Sequence, residues 1–494
     1  PRTDAPSVRD GPRRYRASPL GHDVALYNRP LAEDDITHLA EPDNVPLPLS
    51  LRRLALDLDR HYGFRADASA ELDNPNPAIV LTVNGVAIER DQIDVCTLVD
   101  DAGGWAHTPP PNGRYTIDPL LGRIALPSDA PDPAEVHLTW HEGFSADIGG
   151  GEYERSAFLP APPADTVIVR VPDDRSTIAA ALADIAGDGV VEITDNSRYS
   201  ESLTITVAAA GSIEIRASNH RRPMLDLAGL TITGGADSRC TLNGLLIAGS
   251  ALAVPDGGGN ALAQLVLRDC TLVPGLGLNT VGTPAQPDEP GLLLALAGLE
   301  TQAERCILGA IRSDERSRVA LVDSVIDATA RDRVAFAAMD ALAPGAALSL
   351  EGCSVIGKLH MAEVGTISNS ILFAALAQAD TWAVPVRAAR KQVGCVRFSW
   401  LPFDAIVPAR HRCQPDSASS AGRIAPRFVS LRYGTPAYLQ LNTSTPAEIL
   451  RGADDEGEMG VFHHLYAAHR TANLRIRLAE YLRVGLRAGI IHES

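Results

Sequence analysis

The rhythm of hydrophobic and polar positions changes three times along this chain. From about Ala78 to Trp140 apolar and polar residues alternate with a period of two. "AIVLTVNGVAI" sets Val80, Thr82 and Asn84 opposite Leu81 and Val83, and Asn84-Gly85 is a hairpin turn signal. "GRYTIDPLLGRIALP" and "AEVHLTWHEGF" continue the alternation, which predicts a small β-sandwich-like domain. The rhythm then becomes helical for one short stretch. Ile178, Leu182 and Ile185 share a face, Ser176 is placed to cap the start, and Gly187 to stop it. "VVEIT" and "SLTITV" follow as strands, and no helical period returns until the C-terminus.

A small motif recurs through that strand-rich region: an apolar residue, three residues later Cys or Ser, and two later another apolar residue. It occurs in "LRDCTL" (Cys270), "AERCIL" (Cys306), "LVDSVI" (Ser324), "LEGCSV" (Cys353) and "ISNSIL" (Ser370). "LAGLTI" (Leu230) and "LNGLLI" (Leu245) match it with Leu in the middle. From Leu245 onward the middle positions lie 17 to 36 residues apart, the range of stacked solenoid coils with variable loops. In a parallel β-helix an inward corner has room only for a compact side chain, and buried Cys behaves as a small hydrophobe. The spacing therefore predicts a structural ladder of Leu230, Leu245, Cys270, Cys306, Ser324, Cys353 and Ser370. The first coil of such a stack is an open sheet edge, and the helix from Ser176 to Ala186 reads as its cap.

The ends and joints read differently. Residues 1–48, rich in Pro, Arg and Asp, read as an extended arm, with Tyr15, Leu20 and Tyr27 as docking residues within "RRYRASPLGHDVALYNRP". The β-rich domain spans 49–158, a Pro/Gly linker 159–166, the parallel β-helix 167–412, and a C-terminal extension 413–494. "SADIGGGEYERSAFLPAPPADT" reads as turn and linker, because no Gly-Lys-Ser/Thr follows its glycines as a phosphate loop requires. "VPDGGGNALA" and "PGLGLNTVGTPAQPDEPG" read as projecting loops. In the tail, Leu474, Leu478, Tyr481, Leu482 and Leu486 form one apolar helical stripe, with Arg475, Arg477, Arg483 and Arg487 off it. That helix either closes the solenoid or meets a partner.

Composition narrows the possibilities. The 494 residues are 45% hydrophobic but only 5% aromatic, so the core is aliphatic. A net charge of −17 argues against nucleic acid, since there is no excess of cations to replace phosphate counterions. Lysine occurs only at 358 and 391, so nearly all positive charge is arginine. Seven cysteines without a CxxC pair suggest reduced thiols rather than a disulfide framework or zinc site. No apolar run reaches the ~20 residues of a membrane span. The first residues do not read as a secretion signal.

Candidate chemistry is sparse. Asp323 and Asp327 flank one coil, with Asp332 and Asp340 in the following loop, and they are the catalytic candidates if the chain cleaves a polysaccharide. Solvated loop carboxylates are the simpler reading. No Asp-Asp or Gly-His-Gly signature of polygalacturonases, and no Asp-His or Arg-Pro-x-x-Arg pattern of pectate lyases, is present. His464 and His469, with His463 and Glu458, are the metal candidates, but they lack the i, i+4 spacing that puts two ligands on one helical face. "DDEGE" lacks EF-hand spacing. No cofactor is expected. The aromatics of "SWLPF" and "RYGTPAYLQL" either stack on sugars or pack on the solenoid, and packing is the better expectation.

The cap helix with "VVEITDNSRYSESLTI" resembles the start of pectin-lyase-like right-handed parallel β-helix proteins. "RRYRASPLGHDVALYNRP", "WHEGFSADIGGGEYER", "RFVSLRYGTPAYLQL" and the tail from "RGADDEGEMG" to "RAGI" resemble blocks in uncharacterised bacterial proteins associated with gene clusters for phage-tail-like contractile injection systems. The expected fold is all-β: a right-handed parallel β-helix with an N-terminal cap helix, preceded by the β-sandwich-like domain and followed by an α-helical tail. The resemblance implies a structural component of such a particle, docking on baseplate, tube or sheath proteins through its arm and tail helix. Assembly would occur in the cytoplasm, with an extracellular particle as one destination. A polysaccharide-binding or -cleaving spike is the alternative, and self-association a third reading.

Overall fold

The computed structural model describes residues 1–31, 41–63, 77–111, 113–485, 487 and 489–490. The N-terminal part is built from two sheets. One orders Arg2–Pro6, Val136–Trp140, Val80–Val83 and Val86–Ala87; the other orders Val8–Gly11, Arg14–Arg16, Arg123–Ala125, Tyr115–Asp118 and Ile93–Val95. They share one core that includes Tyr15, Leu26, Tyr62, Leu81, Ile117, Leu138 and Trp140.

The first residues are therefore not an extended arm. Arg14–Arg16 pairs antiparallel with Arg123–Ala125, and Arg2–Pro6 with Val136–Trp140. The Tyr15 hydroxyl donates to the Ala134 carbonyl (3.0 Å) and accepts its N–H (2.9 Å). Arg16 and Arg123 both grip Asp23. Strand pairing and core burial satisfy this segment inside its own molecule.

The large middle part is one parallel assembly of 24 strands among the described residues. Every ladder in it is parallel; the first and last join consecutive strands and the rest join a strand to one two or three strands onward, as solenoid-like winding requires. Inward columns run straight through it. Val191, Ile215, Leu242, Leu267, Ala303, Leu321, Leu350, Ile367 and Val396 stack in register on one face. Leu230, Leu252, Leu292, Ile311, Phe336, Leu359 and Val386 stack on another.

The helix that introduces the stack is shorter than its pattern, Ile178–Asp184. Thr177, not Ser176, is the cap, because it has the extended backbone from which its side chain can accept the Ala180 N–H. The Glu201 carboxylate takes the N–H groups of Ile178 and Ala179 at 2.9 Å each. Ile178, Ala181 and Ile185 are buried against the first strands.

The C-terminal extension wraps one outer face of the stack. Met224, Leu246, Ile307, Val325 and Ile356 point outward and are covered by Ile148, Tyr433, Tyr438, Leu439, Val461 and Phe462. The chain ends in the helix Ala467–Tyr481. No helix among the described residues is long and apolar enough to cross a membrane.

Candidate functional site

The compact residues of the recurrent motif form a column at one corner. Each side chain donates to the carbonyl two residues earlier: Cys270 to Arg268 (3.1 Å), Cys306 to Glu304 (3.2 Å), Ser324 to Val322 (2.6 Å), Cys353 to Glu351 (3.2 Å) and Ser370 to Ser368 (2.7 Å). Each also faces the N–H of the preceding rung. Cys270 N–H donates to Cys306 Sγ (3.5 Å), Cys306 N–H to Ser324 Oγ (3.0 Å) and Cys353 N–H to Ser370 Oγ (3.1 Å). The chain reaches this corner through a left-handed residue every time: Gly244, Asp269, Arg305, Asp323, Gly352 and Asn369. The bend turns a backbone N–H away from the strand ladder, and the hydroxyl or thiol of the next rung receives it.

Leu245 stands at the head of this column, its carbonyl accepting the Thr271 N–H (2.8 Å). Leu230 does not belong to it. It lies within the continuous strand Met224–Gly234 and pairs with Leu203 and Leu252 on another face. Its motif match is coincidental, because no left-handed residue precedes it. Ser399 and Cys413 extend the column instead: Ser370 N–H donates to Ser399 Oγ (3.1 Å), and Cys413 Sγ points to the His411 carbonyl (3.6 Å). Val396, Ser399 and Leu401 carry the motif spacing, the signal that would have located Ser399.

Burial pushes the thiols of Cys270 and Cys353 up to about 12, and Cys306 well above its usual range. Such thiols are inert fillers. Cys240 lies in a strand rather than the corner, and Cys96 and Cys395 are half-buried outside it.

The carboxylate candidates are held by the fold. Asp327 is buried, accepting the Tyr438 hydroxyl (2.6 Å) and the Thr329 N–H (2.7 Å), and burial raises its pKa to about 6. Tyr438 closes it off from a polymeric substrate. Asp323 is a left-handed corner residue whose pKa burial raises against the opposing pull of His464 and His463. Asp340 caps the N–H groups of Leu342 and Ala343.

The histidine pair of the sequence reading is not the pair the fold clusters. His463, with Asp454 and Asp455, places its ligand-type atoms within 4.8 Å of theirs, whereas His464 is exposed and His469 lies in the terminal helix. His463 is engaged with the Glu458 carbonyl (3.0 Å) and Asp455 (3.4 Å). The aromatics pack on the solenoid: Trp400 is buried with its Nε1–H on the Ile424 carbonyl (2.9 Å), and Tyr433 meets Tyr438 edge-on.

The docking candidates divide sharply. Tyr15 and Tyr27 are buried and closed to another protein, and Leu20 is half-buried against the solenoid's covered face. Leu474 and Tyr481 are exposed, and Leu478 and Leu482 half-buried. The helix ends at Tyr481, with Leu482 already extended and Gly485 left-handed. Leu486 lies outside the described residues.

The glycine-rich "linker" is a fastening. Gly149 N–H donates to the Arg305 carbonyl (2.8 Å) and Gly150 N–H to Thr271 Oγ1 (3.1 Å). A Cβ on Gly150 would lie 2.7 Å from the Leu245 carbonyl, so only glycine allows this approach. Arg155 follows, fully buried, its guanidinium on the carbonyls of Ser218 (2.9 Å) and Arg221 (3.2 Å). Of the two inserts, the second also returns to the N-terminal domain, its Thr280 carbonyl accepting the Asp23 N–H (2.9 Å).

Where these pieces meet, a cavity of about 400 Å³ remains, lined by residues of the N-terminal domain, the solenoid and the extension. Arg2 pairs with Glu142 across it. Burial raises Glu142, but Arg2 and Arg222 outweigh it and hold the carboxyl below its usual range. His22, bonded through Nδ1 to Ser18 Oγ (2.9 Å), is depressed to about 4 by burial. No protein-family model and no curated protein matches the chain.

Proposed function

We propose that the chain is a non-enzymatic structural and interaction component, a right-handed parallel β-helix that attaches to other proteins through its C-terminal helix. One observation carries this reading. The helix Ala467–Tyr481 has no buried residue, yet Leu474, Ile476 and Tyr481 stand 43, 60 and 68% exposed on it. An isolated helix of this length is marginal in water, and apolar side chains gathered on it call for a covering surface. Arg470, Arg475 and Arg477 accompany them against a single Glu480, on a chain of net charge −17. The complementary partner surface is acidic with an apolar centre. The setting, a phage-tail-like contractile injection particle with baseplate, tube or sheath proteins as partners, follows the resemblance of the terminal blocks.

The N-terminal segment has no part in this attachment, since its apolar residues are spent on its own core. The test is co-purification from the native host of the full chain and of a variant lacking residues 467–494. The full chain is expected to travel with tail-like particle proteins and the variant to fold but remain free. A truncated chain that still co-purifies overturns the proposal.

A further inference from the structure

We propose that His463, Asp454 and Asp455 bind a divalent transition-metal ion of the zinc type at the root of the terminal helix. The observation behind it is the direction of the His463 ring. Its Nδ1 lies 3.0 Å from the Glu458 carbonyl, and a carbonyl only accepts, so Nδ1 carries the hydrogen. A neutral ring then turns the lone pair of Nε2 towards the Asp455 carboxylate, 3.4 Å away, so that two acceptors face each other. A cation between them resolves that opposition. An imidazole whose other nitrogen donates to a backbone carbonyl is the usual posture of a metal-ligating histidine. The spacing agrees as well: donors about 2.0–2.1 Å from one tetrahedral zinc ion stand about 3.4 Å from each other. The ligand-type atoms of all three residues lie within 4.8 Å of one another.

The carboxylates are held from outside the cluster. Asp454 Oδ1 accepts the Asn369 side-chain amide (2.8 Å), and Asp455 Oδ1 accepts the Gly457 N–H (2.9 Å), so the second oxygen of each remains to coordinate. A Cβ on Gly457 would lie 2.8 Å from Asp455 Oδ1 and 3.1 Å from His463 Nδ1, so a side chain there would press on two ligands at once. Both aspartates are exposed, which gives the ion a path from solvent and lets water complete its shell. The donor set selects the ion. One imidazole with two carboxylates suits zinc and its neighbours, whereas calcium and magnesium take oxygen alone. Asn369 is a corner residue of the solenoid, and His463 stands four residues before the helix Ala467–Tyr481. The bound ion therefore clamps the root of that helix to the stack. Its bearing on docking rests on the attachment reading; the binding does not.

The experiment is calorimetric titration of the chelator-stripped full chain with zinc chloride, with calcium and magnesium chloride as controls. It is repeated on His463→Gln and Asp455→Asn, and on His464→Gln, whose exposed side chain lies outside the cluster. Saturable zinc binding that neither control displaces is expected. His463→Gln and Asp455→Asn should each weaken it at least about tenfold, since even an outer partner of a metal ligand is worth that much; His464→Gln should leave it unchanged. Asp455 is exposed and its substitution nearly isosteric, so that variant is expected to fold with the parent's melting temperature in the absence of metal. No partner protein enters the titration, so its failure is distinct from a failure of the attachment reading. Absence of saturable zinc binding up to about 1 mM, calcium binding as tightly as zinc, or zinc binding unaltered in both His463→Gln and Asp455→Asn overturns the proposal.

Discussion

The two ends of this chain look alike in sequence and behave oppositely in structure. Each combines arginines with scattered aromatic and aliphatic residues, as in "RRYRASPLGHDVALY" and "LRIRLAEYLRVGL". At the N-terminal end, Tyr15 is 2% exposed and Tyr27 7%, and the arginines pair with Asp10, Asp23 and Asp132 of the same molecule. At the C-terminal end, Tyr481 is 68% exposed, and the helix presents its apolar residues to solvent. Composition shows that a segment needs a partner. It does not show whether the partner is its own chain. The N-terminal segment has strands to pair with, at Arg123–Ala125 and Val136–Trp140; a helix bonds only within itself and can remain unaccompanied.

The sharpest way to break this contrast is a pair of tyrosine truncations. Tyr15→Ala should lose about 3–5 kcal/mol in denaturant unfolding, since it empties a core site and strips Ala134 of two hydrogen bonds. Tyr481→Ala should stay within about 0.5 kcal/mol of the parent. Equal losses would mean that both ends are packed alike.

Next in size is a buried acid in the segment that leads into the terminal helix. Burial raises Glu458 to about 7. A raised carboxyl favours the folded state while protonated, so its contribution is present below the unfolded pKa near 4.5 and is lost as pH rises through 7. Glu458→Gln should therefore exceed the parent in stability at pH 8, by up to about 3 kcal/mol, and the gap should close towards pH 4. A gap independent of pH would show that the carboxyl is solvated.

The corner column gives the next effect. Ser324→Ala leaves the Cys306 N–H without its acceptor and should cost about 1–3 kcal/mol in thermal or denaturant unfolding. Smallest in stability terms is a labelling contrast. Iodoacetamide should reach Cys96 and Cys395 in the native protein, and Cys240, Cys270, Cys306, Cys353 and Cys413 only after unfolding. Labelling of native Cys306 would place the column at the surface.

The solenoid was legible because its constraint repeats. Every turn needs a compact residue at the same corner, so Cys270, Cys306, Ser324, Cys353 and Ser370 announce themselves by spacing. Leu230 misled because the motif records side-chain size, while the corner is set by the left-handed residue before it. The N-terminal strands were not legible, because their partners lie more than a hundred residues away in the chain. The junction cavity left no local signal either. Arg2, Glu142 and Arg222 meet only once the glycine-rich strap has laid the domain against the solenoid. The strap itself read as a linker because glycines chosen for close approach and glycines chosen for flexibility are spelled the same way.

Amide hydrogen exchange on the isolated full chain, read by mass spectrometry, tests the contrast between the ends most directly. Peptides covering Arg14–Arg16 should exchange as slowly as those covering the Cys306 and Ser370 corners, while Ala467–Tyr481 exchanges within seconds to minutes. Slow exchange across the terminal helix, or fast exchange at Arg14–Arg16, would contradict the assignment of one end to the interior and the other to a partner.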